Sequence, residues 1–451
     1  MAALSEVVGS SRHDGMPAAV ARPAIRAGAR AALLLECALV FGQGDGVRIL
    51  HTSDWHLGQH FMGRSRQAEH QALIDWLLLQ VSQHAIDAVL LAGDIFDTGA
   101  PPSYARELYN QLVVRLHEAR CQLVLLGGNH DSVATLEESR PLLAYLGCTV
   151  VAAVQEDLSR QLLTLRDKAG QPAALLCAVP FIRARDVMQS QAGQSAEEKQ
   201  LGLQQAIAMH YQSLHQLALQ ERDRLGLPLP ILASGHLTTV GASSSESVRD
   251  IYVGALDAFP SNAFPPFDYI ALGHIHRPQQ VGGQAHIRYS GSPLPLSFDE
   301  LGQSKQMLLL ELDAGSIASI SPLNVPCFQP LCSLRGTLAD LQQSIAAALA
   351  ATPAGQTLWL EVVVEGDDYL SDLQSRIQQL LEGQPVELLR LRRARSQQRA
   401  SLQAERSTLD ELSPQEVFER RLALEQMDEA LAADLRQRYR QIVQALQEEQ
   451  T

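Results

Sequence analysis

Five short polar clusters lie between residues 51 and 276. They are Asp54-Trp55-His56, Gly93-Asp94-Ile95-Phe96-Asp97, Gly127-Gly128-Asn129-His130-Asp131, Gly235-His236 and Gly273-His274-Ile275-His276. Hard oxygen donors mixed with imidazole suit Mn²⁺, and also Zn²⁺ or Fe²⁺. Two such cations about 3.5–4 Å apart can clamp a phosphate and activate water for in-line attack. That chemistry needs one carboxylate reaching both ions. Asp94, following Gly93 at a strand end, is a candidate for it. Asp54 and His56 can serve one ion if the backbone turns after the strand. His274 and His276 can send one ring to each ion, and Asn129 offers a neutral amide oxygen. His130 follows directly and can reach substrate rather than metal.

Taken singly, each residue has a plainer explanation. A lone His at a strand end is usually packed or capping, and an Asp after Gly is usually a turn former. The Asn129-His130-Asp131 run could cap a helix beginning near Val133. Coincidence is harder to sustain for the set. Four clusters directly follow apolar runs, and the first follows Val47–Leu50 after a three-residue turn, His51-Thr52-Ser53.

The elements that must position these residues alternate. Strand candidates are 47–50, 88–93, 122–126, 174–179, 230–234 and 269–272. Helix candidates are 65–84, 103–119, 135–146 and 195–224. Such alternation implies an α/β fold, a β-sandwich with helices on its outer faces. Ligands in such folds gather at the carboxyl ends of strands. After about residue 330 the pattern shortens. Thr337–Leu349 reads as a helix, Thr357–Glu365 as a strand, Tyr369–Leu381 as a helix and Val386–Leu391 as a strand. Turns fall at Pro353-Ala354-Gly355 and Gly383-Gln384-Pro385. The expected division is a core at 47–330, a small α+β cap at 331–395, and a linker with a helical tail at 396–451. The tail opens on a capping box, Ser413-Pro414-Gln415-Glu416. Leu424, Met427, Leu431, Leu435, Tyr439, Ile442 and Leu446 then recur on one helical stripe, suited to a partner's groove or helix.

A chain of 451 residues should hold two or three domains. Its 36 Lys and Arg against 50 Asp and Glu give a net charge of -14. That excludes holding a polyanion by bulk charge alone. Contact with nucleic acid would need a local basic face, metal ions or a partner; Tyr104, Arg106, Arg183 and Arg185 are candidates. The six cysteines form no CxxC pair, which suits a reducing cytosol. No apolar run reaches the roughly 18 residues of a membrane span. Ala31–Phe41, with Arg26 and Arg30 ahead, weakly imitates a signal peptide, but Glu36 interrupts it. Residues 1–46 show no sustained period, and are expected to stand outside the native fold. Val47 opens the first strand, and a valine codon can initiate translation in bacteria. Peptide mapping of the natural protein is expected to begin at 47, with Met in place of Val. Peptides recovered from 1–46 would refute that start.

The five clusters together resemble the calcineurin-like metallophosphoesterase superfamily. The stretches Ile49 to Gly58, Phe96 to Arg106, His236 to Ala242 and Tyr289 to Phe298 resemble, within it, the bacterial SbcD family of nuclease subunits. The resemblance runs from about residue 47 to the C-terminus. It implies a first metal held by Asp54, His56, Asp94 and His276, and a second held by Asp94, Asn129, His236 and His274. It implies that His130 contacts the scissile phosphate and assists the leaving oxygen. Archaeal relatives carry a His where this chain has Asp97, which is read as a support for the ligands. Two Mn²⁺ are implied, with Mg²⁺ an option. So are DNA as substrate, an SbcC-like coiled-coil ATPase partner in a heterotetramer, a homodimer of the nuclease domain, and a cytoplasmic, nucleoid-associated place of action. The implied activity is ATP-dependent double-strand exonuclease and single-strand or hairpin endonuclease, serving DNA repair, replication and recombination. Two alternatives remain. The first is another enzyme of the superfamily, but a protein phosphatase would usually read Gly-Asp-x-x-Asp-Arg-Gly, whereas Thr98-Gly99 follows Asp97 here, and a cyclic-nucleotide phosphodiesterase would not need the extra domain or the helical tail. A non-catalytic scaffold for the ATPase would not need every ligand position filled.

Overall fold

The structure is a computed structural model. It describes residues 46–188, 195–243, 245, 248, 258–313, 315–365, 373–394, 435, 438 and 439. Residues 1–45 lie outside the described residues. So do the Ser413–Glu416 cap and most of the apolar tail stripe. Only Leu435, Arg438 and Tyr439 of the tail are described, all helical.

Two six-stranded mixed sheets face each other. The strands of the first are β1 (Val47–Thr52), β4 (Ala88–Ala92), β5 (Gln122–Leu126), β6 (Cys148–Val151), β13 (Gln306–Asp313) and β14 (Ser316–Asn324), in the order β14-β13-β1-β4-β5-β6. Between β1 and β4 in the chain, β2 (His60–Phe61) and β3 (Arg64–Ser65) make a short antiparallel ribbon of their own. Strands β1, β4, β5 and β6 run parallel. The second sheet contains β7 (Leu162–Arg166), β8 (Pro172–Cys177), β9 (Ile231–His236), β10 (Tyr269–Gly273), β11 (Gln279–Val281) and β12 (Gln284–Tyr289), in the order β11-β12-β10-β9-β8-β7. Here β8, β9, β10 and β12 are parallel.

The strands obey the period of two that side-chain alternation demands. Ile49, Leu90, Val124, Leu176, Leu232 and Ala271 face inward, into the layer between the sheets. Leu50, Val89, Leu91, Leu123 and Leu125 face outward, under the helices Gln67–Gln83 and Ser103–Glu118. Leu175, Cys177, Ile270 and Leu272 do the same under the long helix Ala196–Leu225. That helix starts on a Ser195–Glu198 capping box and stops at Gly226, whose φ of 65° is the left-handed cap that glycine adopts without strain.

The expected helix-flanked sandwich is therefore observed, with local differences. β1 runs through Thr52, so His51 and Thr52 are strand rather than turn. His51 pairs with Leu308 and Leu90, and its Nδ1 meets the Tyr269 hydroxyl at 2.9 Å. The helix expected at 135–146 is two pieces, Val133–Glu137 and Arg140–Tyr145. Pro141 cannot donate a helical hydrogen bond and stands where the second piece begins.

Beyond the sandwich, β15 (Leu331–Gly336), β16 (Leu358–Val364) and β17 (Val386–Arg393) form a parallel sheet. The helices Leu338–Ala351 and Leu373–Leu381 supply Leu341, Ile345, Leu373 and Ile377 to its core. The sheet meets the sandwich at a small aromatic cluster. Phe61 stacks on Trp359 at 5.9 Å and lies edge-on to Phe298 at 5.0 Å. Arg64 and Glu387 form an ion pair at 2.9 Å beside it. Among the described residues no helix is long and apolar enough to cross a membrane.

Candidate metal centre

All five clusters converge at the carboxyl ends of β1, β4, β5, β9 and β10. The loops interlock through their backbones. The amides of Asp54, Trp55, His56 and Leu57 donate to the carbonyls of Gly93, Asp94 and Ile95 at 2.9–3.1 Å. Asp131 fastens the next loop. Its carboxylate accepts from the amides of Ile95, Phe96 and Gly128 at 2.9–3.1 Å. The helix that follows is capped by Ser132, not by Asp131. Closeness at this point demands glycine. A Cβ at Gly93 would lie 2.1 Å from His236 Nδ1, and one at Gly128 would lie 2.1 Å from Asp94 Oδ1.

Four of the candidate ligands have positive φ: Asp54 at 56°, His56 at 48°, Asp94 at 51° and His274 at 92°. Non-glycine residues adopt this region rarely, and at a cost on the order of 1–3 kcal/mol each. The interlocked loops hold them there and turn their side chains into one pocket. All four are buried.

Two disjoint groups of donor atoms result. Asp54, His56 and His276 form one, and Asp94, His236 and His274 the other, each with ligand atoms within 4.8 Å of one another. Asn129 belongs with the second, its Oδ1 lying 2.9 Å from His236 Nε2 and 3.2 Å from His274 Nδ1. Asp94 lies between the groups. Its Oδ2 is 3.3 Å from His236 Nε2 and 3.6 Å from His56 Nε2. His56, Asp97 and His130 make a third cluster, but hydrogen bonds already explain it. Asp97 Oδ1 is 3.1 Å from His56 Nδ1, and the Asp97 carbonyl accepts from His130 Nδ1 at 2.7 Å.

The outer partners decide which ring nitrogen faces inward. His236 Nδ1 donates to the Ala92 carbonyl at 2.9 Å, which leaves Nε2 for the site. Asp97 does the same for His56. Asp54 is held by the Ser53 hydroxyl at 2.6 Å and the His274 amide at 2.9 Å. Asp94 accepts from the His130 amide at 2.9 Å.

Charge is concentrated here. Burial opposes a proton on His236, but the adjacent Asp94 outweighs it and carries the pKa up to about 9. Burial would raise Asp94, yet His236 and then His56 hold it well below the usual carboxylate range. Burial and the neighbouring His236 push His274 well down. Burial, then Asp94, push Asp131 up to about 6.

Whether the residues fit such cations can be asked of the buried nitrogens. His56 Nε2 and His274 Nε2 have no hydrogen-bond partner although both are buried. Buried polar atoms are normally satisfied. A cation facing Asp54, His56 and His276 would satisfy His56 Nε2, and the mixed N/O donor set suits Mn²⁺. The residues fit a pair of divalent ions. Because such ions would bind the folded chain alone, Mn²⁺ is expected to stabilise it by about 2.7 kcal/mol per site at a hundredfold excess over Kd. Thermal melting with and without a chelator measures this; equal melting temperatures would count against the site.

Of the remaining candidates, Arg106 is paired with Glu138, and Tyr104 is half-buried against the core. The Arg183 guanidinium lies over the Phe181 ring at 5.5 Å and reaches the Asp131 carbonyl at 3.5 Å. Arg185 is exposed beside Asp186. Asp131 was not singled out as a fastener by any sequence signal, and neither was Glu300, which touches His276. Both act across long sequence separations, where local pattern is silent.

A sandwich with two adjoining donor groups at its strand ends defines a dimetal phosphoesterase. A family model for calcineurin-like phosphoesterases matches residues 47–278, and one described as the type 5 capsule protein repressor C-terminal domain, SbcD_C, matches 327–426. The chain is 53% identical over 385 residues to the SbcD subunit of the nuclease SbcCD from Escherichia coli strain K12, covering 85% of this chain and 94% of that one. It is 34% identical over 389 residues to the protein of the same name from Rhodobacter capsulatus, covering 82% and 93%. With that from Bacillus subtilis it shares 30% over 295 residues, covering 63% and 71%. The chain belongs to the SbcD family of calcineurin-like phosphoesterases, and so to the metal-dependent phosphodiester hydrolases.

Proposed function

We propose that this chain is the nuclease subunit of a complex with an SbcC-like coiled-coil ATPase. Together they act as an ATP-dependent double-strand exonuclease and a single-strand and hairpin endonuclease in the cytoplasm. The observation that carries the reading is Asp94, lying between two buried donor groups within 3.6 Å of a histidine from each. Asp54, His56, Asp94 and His276 would hold one Mn²⁺, and Asp94, Asn129, His236 and His274 the other. When bound, the pair supplies Lewis acidity to the phosphoryl oxygens of a DNA strand and lowers the pKa of the attacking water. The chain's own contribution is positioning. Asp97 and the Ala92 carbonyl orient the His56 and His236 rings. His130, its Nδ1 committed to the Asp97 carbonyl, presents Nε2 to the leaving oxygen as a proton donor.

The test compares linear duplexes, single strands and hairpins, with and without the ATPase, in Mn²⁺ and in Mg²⁺. Metal-dependent cleavage by the chain alone, with ATP-stimulated duplex digestion only in the complex, is the expected result. Activity confined to small phosphodiesters would favour another phosphoesterase. Absence of bound metal would favour a scaffold.

We further propose a core at 47–330, a cap at 331–395 and a partner-binding tail at 396–451. Deleting 407–451 is expected to leave single-strand cleavage intact. It should abolish co-purification with the ATPase and ATP-stimulated duplex digestion. Co-elution of the truncated chain at submicromolar concentration, on the order of a standard-size interface's affinity, would assign the docking elsewhere.

A further inference from the structure

His276, like His56 with Asp97, has a carboxylate behind its ring, and here that carboxylate is fully buried. Its Nδ1 lies 3.4 Å from Glu300 Oε1. Glu300 is fully buried, and both its oxygens are crowded with donors. Oε1 also accepts from the Ser245 hydroxyl at 2.9 Å and the Ser297 hydroxyl at 3.4 Å. Oε2 accepts from Lys305 Nζ at 2.5 Å, the Leu296 amide at 3.1 Å and the Ser292 hydroxyl at 3.4 Å. Lys305, itself 6% exposed, turns a second bond to the His276 carbonyl at 3.2 Å and a third to Ser292 at 2.9 Å. The Ser292 amide donates to the same carbonyl at 3.1 Å. Ring and backbone of His276 are thus both gripped from the 292–305 segment.

We propose that Glu300 is a positioning residue for the metal centre. It takes the Nδ1 proton of His276 and fixes the ring so that Nε2 faces Asp54 and His56, while Lys305 keeps the carboxylate compensated. The inference rests on the dimetal reading above. The physical ground is general. A carboxylate behind a ligating imidazole fixes tautomer and orientation, and its loss costs about 10–100-fold in metal affinity. A buried carboxylate without a partner would be expensive, which accounts for an ammonium buried beside it. A purely structural role is the rival: Glu300 could exist only to neutralise Lys305 and close the 292–305 turn.

The two roles separate in a Mn²⁺ titration of the full chain, read by the free-ion electron paramagnetic resonance signal, alongside thermal melting. The wild type should bind two ions; if it binds none, the dimetal reading itself fails. Glu300→Gln keeps the shape but has one acceptor oxygen for a ring of donors. It leaves Lys305 uncompensated and is expected to melt lower. The double variant Glu300→Gln/Lys305→Met removes both charges and should recover most of that loss. Under the proposal, both variants retain one ion at wild-type affinity and bind the other about 10–100-fold more weakly. Should Glu300→Gln fail to fold, the double variant carries the test alone. Two ions at wild-type affinity in the double variant would overturn the positioning role.

Discussion

Asp94→Asn is expected to abolish nuclease activity, leave the circular dichroism spectrum native and lower the bound manganese. The substitution is nearly isosteric, and the fold has an answer for it. The His130 amide can still donate to the remaining oxygen, as it now does to Oδ1 at 2.9 Å. Without the Asp94 charge to hold a second proton on the ring, His236 presents Nε2 with its lone pair inward, because Nδ1 is committed to the Ala92 carbonyl. The new amide can therefore donate where the carboxylate accepted. What disappears is the negative charge between the two donor groups, and with it the attraction for both cations at once. A second consequence follows by linkage in the metal-free chain. His236 has a folded pKa near 9, above its ordinary 6.5. Its contribution to stability is thus complete below about pH 6.5 and is lost as pH rises through about 9. Asp94 is the chief cause of that elevation once burial is overcome, so in Asp94→Asn this fall of stability should flatten. Full activity in the variant would sink the two-metal assignment.

Much of this centre could be read from the chain because strand ends are local. Each cluster follows an apolar run, and parallel strands deliver their carboxyl ends to one edge. Pairing β1, β4 and β5 in one sheet and β9 and β10 in the other was enough to bring the clusters together. Other features left no local trace. The left-handed backbone at Asp54, His56, Asp94 and His274 is imposed by loops hydrogen-bonded across long stretches of sequence, such as Asp54 to Gly93. Residue type alone would have argued against it. Asp131 sat inside a recognised cluster, yet its work is done on Ile95 and Phe96. Glu300 lies just past the last stretch that carried the resemblance. The strands that went unread are mostly edge or antiparallel ones. β14, with half-exposed residues and Pro322, pairs on one side only, where proline and polar residues are tolerated. β15 is short and half-exposed, and its parallel partner is more than twenty residues away.

His130→Gln should behave differently from any ligand substitution. Metal content is expected to survive while cleavage falls by a factor of roughly 10²–10⁴, the usual span for loss of a positioned acid or base. The geometry sets His130 apart from the ligands. It is partly exposed, as Asn129 is, where Asp54, His56, Asp94, His236, His274 and His276 are buried, so it borders the space a DNA strand would enter. Its Nδ1 donates to the Asp97 carbonyl at 2.7 Å, and its ring stands edge-on to His56 at 4.7 Å. That bond fixes the tautomer and leaves Nε2 as the nitrogen that can carry a proton to a leaving oxygen. Glutamine can keep the Asp97 contact but cannot deliver a proton at any pH, so the loss should fall on the chemical step rather than on metal binding. The opposite outcome has a definite structural meaning, because His56, Asp97 and His130 bring their ligand atoms within 4.8 Å of one another. If His130→Gln loses a metal ion, that third cluster is a genuine ligand group. Asp97 would then be a ligand rather than an orienting partner of His56, and the role of proton donor would have to pass to another residue.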